Sequence, residues 1–565
     1  MAEQELPTTV AACHDLLREK QATIEQLEEM IGTLQRDLAL LKRSMFGHRR
    51  ERFDDPGQGT LFDMTVVDLE SGRTQEGNEG SADASDPDQA SLPPAASPGS
   101  DDDDSDKRKR RGRQRRVWPE GLIHEKQVRR LPEDEATEQA RAEGRCFEKY
   151  VGMTFEIRRQ ELVAIDEYVE VIAVDNADGT ETKMLAASPR PRIITCFAGP
   201  SLLAALAVHR FADHLPYYRL EEILQRSGLT IDRATQSRWM QRLGLAASPL
   251  VDLMRQLALV DDVAQADETP VPKLEPGLRR TSTSYLWAVL GIVRYPYTTY
   301  YYTSDRSRAG PDEIFADFSG TLVSDAYICY ERLNQATQGR IRMACCHVHA
   351  RRKFEELHKL GATEATSTAL GYFHRLFAIE DQLRPLSAEE RHYYRQLHAR
   401  PVMEQFKTWL DEKLLTLRPK DSLRGAINYM TCRWESFTRF LESGLIPMDN
   451  NDSEQAVKSP VMGKKAWLFF GNDNGGKTAA TFYTLTATCR RLYIDPLAYL
   501  TDVFERLPLI DASSVPALEP LLPDRWLEAH PEARLIEREA EAEQRAARTR
   551  RNRVHRRQAM AAQSH

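Results

Sequence analysis

Apolar side chains recur every seven residues near the start of the chain, with Leu17, Ile24, Ile31, Leu38 and Met45 at one heptad position and Leu27, Leu34 and Leu41 at the other. That repeat predicts a coiled-coil oligomerisation helix over residues 14–53, the alternative being one amphipathic helix packed on its own domain. Between 120 and 195 apolar and polar residues alternate, as in EYVEVIAV, which predicts a small β-rich module. The period then lengthens. YYRLEEILQRSGLTIDRATQSRWMQRL sets Leu220, Ile223 and Leu224 before Gly228 and Trp239 and Leu243 after it, a helix-turn-helix pattern. Arg233, Gln236, Ser237 and Arg238 are expected to face outward there, although glycine-joined helix pairs also occur in domains that bind nothing.

Beyond residue 258 the pattern reads strand, strand, strand, helix, strand, carried by DDVAQADETPV, YLWAVLGIV, YTTYYYT, PDEIFADF and TLVSDAY, with RIRMACCHVH as a fifth strand. This is the chain order of a ribonuclease-H-like fold, in which the first and fourth strands lie side by side. Asp267 falls on the first and Asp325 at the end of the fourth. Adjacent strands lie about 4.8 Å apart, so carboxylates at matching heights can bridge two divalent ions roughly 3.5 to 4 Å apart, an arrangement suited to phosphoryl transfer. Hard oxygen ligands select Mg²⁺ or Mn²⁺. A third carboxylate is expected from MDNNDSEQAVK, where Glu454 could point inward from the first turn of a helix with Lys458 one turn on. Asp449 and Asp452 compete for that role, and Asn451 with Glu454 has capping-box spacing, in which the acid would only satisfy a free amide.

Composition then narrows the class. The chain has 565 residues, 41% of them hydrophobic, enough for several domains. Its net charge of −8 does not suit a nucleic-acid enzyme, but phosphate neutralisation is local and the basic residues come in runs. Lys107 to Arg116 holds eight Lys or Arg, and Arg545 to Arg557 holds seven Arg and no acid. Residues 54–106, ending in SDDDDSD, have the composition of a disordered acidic linker. The basic segment 107–117 after it is either a solvated partner of those acids or a phosphate contact. The eight cysteines include no CxxC pair and read as reduced thiols; no signal peptide or apolar run of membrane-spanning length is evident. The expectation is an intracellular protein without membrane contact.

Two further signals carry chemistry. GNDNGGKT, Gly471 to Thr478, fits a phosphate-binding loop and raises an ATPase reading, but the residues after it read as helices and a basic tail, without the parallel sheet such enzymes build. In ACCHVHARRKF, Cys345, His347 and His349 would share one face of a strand, leaving Cys346 on the other.

The blocks DHLPYYRLEEIL, ADETPV, YLWAV, DFSGTLVSDAYICYERL, HARRKF and MDNNDSEQAVKSPVMGKKAWLFFGNDNGGKTAA together resemble transposases of the insertion-sequence 66 family, from the heptads to about residue 510. The resemblance implies a DDE enzyme that cleaves and joins double-stranded DNA at insertion-sequence ends. Asp267, Asp325 and Glu454 would be its catalytic and metal-binding carboxylates, holding two Mg²⁺ or Mn²⁺ ions. Cys346 and His349 match a C-x-x-H element that, with Lys458, supports such sites. Arg351, Arg352, Lys353, Lys464 and Lys465, with Arg233 and Arg238, are the expected DNA contacts. The expected architecture is a multidomain α/β chain: coiled coil, linker and basic segment, a degenerate zinc-finger-like β-rich module over 118–197, and a helix-turn-helix region over 198–250. A ribonuclease-H-like catalytic domain over 258–480, with a helical insertion at about 355–445, precedes family helices over 481–512 and a basic tail over 513–565. Homo-oligomers and small accessory proteins from the same element are expected partners, in the bacterial cytoplasm. The chain departs from the family in two places. Only Cys146 stands where paired cysteines are usual, so no zinc is expected, and Gln455 replaces the usual Arg after Glu454. Relatives have the glycine-rich loop without Lys477 and Thr478, which makes the ATPase match a coincidence. A DNA-binding regulator and an inactive transposase copy are the other readings.

Overall fold

In the computed structural model, which describes residues 123–158, 161–175, 182–275, 277, 280–325 and 328–562, two separate sheets are laid down in chain order. The predicted coiled coil, acidic linker and basic segment lie outside these residues. The first sheet comprises β1 (Ile123–Arg129), β2 (Arg145–Arg158), β3 (Glu161–Asp175) and β4 (Thr182–Ala186), with helix α1 (Glu135–Glu143) between β1 and β2. The long β2–β3 pair is antiparallel, β1 runs parallel to β3, and β4 returns antiparallel on it. The end of β2 is fastened to the segment that leads into the next helix: the Phe155 amide donates to the Phe197 carbonyl at 3.0 Å and the Gly199 amide to the Phe155 carbonyl at 2.8 Å. The Glu156 carboxylate, pushed upward in pKa chiefly by burial, accepts the Ser201 amide at 2.9 Å in the first turn of α2 (Pro200–Ala207).

The helix pair comprises α3 (Tyr217–Arg226) and α4 (Arg233–Ala246), and α5 (Ser248–Ala258) comes after it. Gly228 between the paired helices has φ +85°, a conformation that glycine adopts without a Cβ clash. Asp232 caps α4 through the Thr235 amide at 2.8 Å. Arg233 and Arg238 are exposed as expected, but Gln236 is fully buried. It lies on the helix face of Trp239, Met240 and Leu243, and its amide donates to the Ile231 carbonyl at 2.8 Å, which makes that burial tolerable.

The second sheet has the order β7-β6-β5-β8-β9, made from β5 (Val263–Leu274), β6 (Thr281–Gly291), β7 (Thr298–Thr303), β8 (Gly320–Ser324) and β9 (Ile341–Cys345). Short connections make β5, β6 and β7 an antiparallel meander. The chain then crosses over through α6 (Ala309–Ile314), so β8 lies parallel to β5, and through α7 (Ile328–Ala336), so β9 lies parallel to β8. Both faces of the sheet are covered: on β6, Trp287 and Val289 enter one core with Phe315, Leu322 and Leu333, while Leu286, Ala288 and Leu290 enter another with Phe482 and Leu485. That is why YLWAVLG is nearly continuously apolar.

After β9 come α8 (His347–Leu360), α9 (Glu364–Leu383), α10 (Ala388–Tyr394), α11 (Arg400–Thr416), α12 (Ser422–Thr431) and α13 (Trp434–Thr438), packed on Phe354, Phe373, Phe406 and Phe437. Helix α8 runs unbroken through residue 355, the expected start of the helical insertion. The expected strand through His349 is corrected here: β9 stops at Cys345 and His347 opens α8, so side chains there follow helical rather than alternating spacing. Arg395, 1% exposed, donates to the Phe440, Ser443 and Ile446 carbonyls at 2.8 Å each and pairs with Glu380 at 2.7 Å, fixing the segment that returns to the sheet.

The chain ends in α14 (Asn451–Trp467), α15 (Asp473–Arg491), α16 (Pro496–Arg506), α17 (Val515–Leu518), α18 (Pro523–Ala529) and α19 (Ile536–Ala562). Helix α15 runs through the expected boundary at residue 480. The expected basic tail also begins too early: Leu518, Leu521, Leu522 and Trp526 are buried in the core, and the basic run belongs to α19. Among the described residues no helix is long and apolar enough to cross a membrane.

Candidate active site

The last residues paired between β5 and β8 are Gln265 and Val323, and Asp267 and Asp325 each stand two residues further on. Parallel pairing therefore carries both acids to the same height, Asp267 within β5 and Asp325 just past the end of β8. Asp267 accepts the Glu268 amide at 2.9 Å. Its carboxyl is pushed up to about 8, first by burial and then by the negative charges of Glu268, Asp325 and Glu454. Glu268, next along the strand, is nearly enclosed; it pairs with Arg306 and accepts the Tyr330 hydroxyl at 3.0 Å.

Glu454 lies buried in the first turn of α14. The turn before it is fastened to both neighbouring elements. Asn450, fully buried, donates its side-chain amide to the Ala266 carbonyl at 2.9 Å, and its own carbonyl accepts the Glu454 amide at 3.1 Å. Gln265 donates to the Asp449 carbonyl at 3.2 Å and the His347 amide to the Met448 carbonyl at 3.1 Å. The capping box does not form: Asn450 is the cap residue and no side chain closes it, so Glu454 does not serve as a helix cap. Asp449 accepts the Asn451 amide at 3.1 Å and Asp452 is exposed.

Further along α14, Pro460 has no N–H for the Ala456 carbonyl, and Tyr300 of β7 supplies a hydroxyl to it at 2.7 Å. Sequence reasoning misses Asn450 and Tyr300. The Asn450–Asn451 doublet suggests only a cap, and Pro460 inside an apparent helix is the available signal that a distant donor must exist.

Helix α8 brings Cys346 and His349 to Glu454: one ligand atom from each lies within 4.8 Å of the others, and His349 Nδ1 is 3.6 Å from a Glu454 oxygen. These three could hold a metal ion. Burial pushes the Cys346 thiol up to about 12, and its sulfur accepts the Asn450 amide at 3.2 Å, so as it stands it serves as a neutral acceptor bracing the start of α14. His347 instead packs between Phe437 and Phe440, with burial pushing its pKa down to about 4; the expected shared face of Cys345, His347 and His349 does not exist.

Among the expected basic contacts, Arg351 pairs with Glu355 at 3.0 Å, Arg352 is half-buried, and Lys353 sits over the Tyr429 ring at 4.4 Å. Lys464 donates to the Pro270 carbonyl at 2.8 Å, whereas Lys465 is exposed; Lys458 is half-buried. Gly471 to Thr478 forms no phosphate loop. Asn472 caps α15 through the Gly475 amide at 2.8 Å, the Gly476 amide donates to the Asn472 carbonyl at 3.3 Å, and a Cβ on Gly476 would overlap the Tyr302 ring. The Gly475 and Gly476 amides are both taken up by Asn472, and Gly476 serves packing.

The chain is a mixed α/β protein in which the Asp267 carboxyl, within β5, feels the negative charges of Asp325, just past the end of the adjacent parallel β8, and of Glu454, in the first turn of α14. The chain belongs to the Transposase IS66 family, which matches residues 195–478, and residues 484–523 match the IS66 C-terminal element. It is similar to three uncharacterized proteins of Sinorhizobium fredii (strain NBRC 101917 / NGR234). It is 33% identical to y4jD over 58% of this chain and 66% of that protein, and 32% identical to y4qI over 60% and 66%. With y4hP the figures are 31%, 59% and 63%, so the chain spans just under two thirds of the length of these relatives.

Proposed function

We propose that the chain is a DDE transposase, with a ribonuclease-H-like core that cleaves the ends of its own insertion sequence and joins them to target DNA. One observation carries the reading most directly. Asp267 is held protonated up to about 8 first by burial and then by the charges of Glu268, Asp325 and Glu454, an arrangement that is costly unless a cation neutralises it. Three hard carboxylates fit Mg²⁺ or Mn²⁺ better than the mixed set of Cys346, His349 and Glu454, whose thiol is held neutral. When bound, such ions lower the pKa of an attacking water or 3′-hydroxyl and stabilise the leaving oxygen. Asp267 and Asp325 present their oxygens from the rigid sheet, and Glu454 closes the site from α14. His349 and Cys346 orient Glu454 and the turn before it, and Lys458 places positive charge one helical turn away. Arg233 and Arg238, exposed on α4, are assigned to the element ends, and residues 14–53 to self-association.

The test is strand cleavage of a duplex carrying the DNA that flanks the chain's own coding element, with Mg²⁺ and without ATP. Cleavage should appear, and Asp267→Asn, Asp325→Asn and Glu454→Gln should each reduce it by orders of magnitude while DNA affinity persists. Cleavage that survives all three substitutions, or that requires ATP, overturns the reading.

A further inference from the structure

Helix α14 begins beside Asp267 and ends in a strained turn. Leu468 has φ +69° and ψ −55°, and the Phe469 amide donates across it to the Trp467 carbonyl at 2.9 Å. This is a γ-turn of the rare hand, which a residue with a Cβ occupies only under strain. Glycine would take the position without that strain. Here instead stands a leucine with 62% of its surface exposed, followed by Phe469 at 40%.

The turn is held on both sides. The Leu468 amide donates to the Lys464 carbonyl at 2.8 Å, the Phe470 amide to the Pro272 carbonyl at 2.9 Å, and the Leu274 amide to the Phe470 carbonyl at 2.8 Å. Trp467 and Phe470 fold inward and stack at 4.7 Å, with the Arg210 guanidinium 5.2 Å from the Trp467 ring. The residues flanking the pair are thus buried, while Leu468 and Phe469 are held outward by the same strand that carries Asp267. Exposed Lys465 and Lys477 lie on either side in sequence, and the nearby acid Asp473 is engaged by Lys273 at 3.1 Å and Tyr302 at 2.6 Å.

We infer that Leu468, backed by Phe469, is an apolar wedge that inserts between stacked bases of duplex DNA held by the flanking lysines. Strain that fixes a large apolar side chain in water is accounted for by an apolar partner, and the positive flanks select a polyanion with an apolar interior, which is a base stack. Fourteen residues of helix separate Glu454 from Leu468, about 21 Å at 1.5 Å per residue. The wedge therefore acts at most about six base pairs from the reacting phosphate, at about 3.4 Å per step. The inference rests on the transposase reading.

The test uses the full-length protein and the flanking-DNA duplex with 2-aminopurine placed singly along the terminal base pairs. Binding is followed by anisotropy and unstacking by fluorescence. Wild-type protein should bind and raise the fluorescence severalfold at one step. Leu468→Ala and Leu468→Gly should bind within a few-fold of wild type and lose most of that rise. Leu468→Trp should retain it, and Leu468→Gly, freed of backbone strain, should melt no lower than wild type. Binding with no unstacking at any step, or unstacking unchanged in Leu468→Ala, overturns the wedge alone; failure of wild type to bind the duplex overturns the transposase reading with it. If Leu468→Ala instead abolishes a concentration-dependent self-association without DNA, the turn joins two copies of the chain and the wedge is rejected.

Discussion

Tyr300 donates its hydroxyl to the carbonyl of Ala456, the one helical carbonyl that Pro460 leaves without an amide. The bond repairs a broken helix from a neighbouring strand and locks α14 to the sheet. Tyr300→Phe should cost about 1 to 3 kcal/mol, since a buried acceptor loses its partner. In that background Pro460→Ala restores an N–H to Ala456, so the double variant should be more stable than Tyr300→Phe alone. Urea unfolding of the four proteins measures this coupling, and strictly additive losses would show that the hydroxyl acts elsewhere.

Asn450 performs the corresponding task at the start of the helix, where it joins the turn before Glu454 to the residue before Asp267. Asn450→Ala should lower stability by about 1 to 3 kcal/mol. It should also diminish the rise in melting temperature that Mg²⁺ produces, because Glu454 loses its fixed position relative to Asp267. A destabilised variant with an undiminished Mg²⁺ shift would limit Asn450 to a folding role.

The Asp267 carboxyl titrates at about 8 in the folded chain against an ordinary value of 3.8. Between those values the folded state holds a proton that the unfolded state has released, so this group's contribution makes stability fall as pH rises from about 4 to about 8. Above the upper value the whole penalty is in place. Metal-free Asp267→Asn should show a shallower decline in melting temperature over this range than wild type, and Mg²⁺ should flatten the wild-type curve by favouring the ionised form. Parallel curves for the two metal-free proteins would contradict this assignment.

Gly476 and Lys477 separate packing from nucleotide chemistry. Gly476→Ala forces a methyl group against Tyr302 and should destabilise by about 1 to 3 kcal/mol. Exposed Lys477→Ala should leave stability near wild type and lower DNA affinity only modestly, and ATP should not alter the melting temperature of either protein. Stabilisation by ATP that Lys477→Ala removes would restore the phosphate-loop reading.

Much of this was legible in local pattern. The order of strands and helices from Val263 onward, the helix pair around Gly228, and the positions of Asp267 on its strand and Asp325 at the end of its own come from periodicities of two and 3.6 that each segment carries by itself. The family resemblance, carried by sequence blocks alone, singled out Glu454, Cys346 and His349. Tertiary structure decided what local pattern leaves open. Whether Glu454 caps its own helix or faces other acids depends on Asn450 reaching Ala266, 184 residues away in sequence. Gln236 looks exposed until the Ile231 carbonyl is found beside it, and Gly471 to Thr478 looks like a phosphate loop until its amides are seen bonded within α15. In each case the local sequence permits two partners for one polar group, and burial, which only the assembled chain imposes, selects between them.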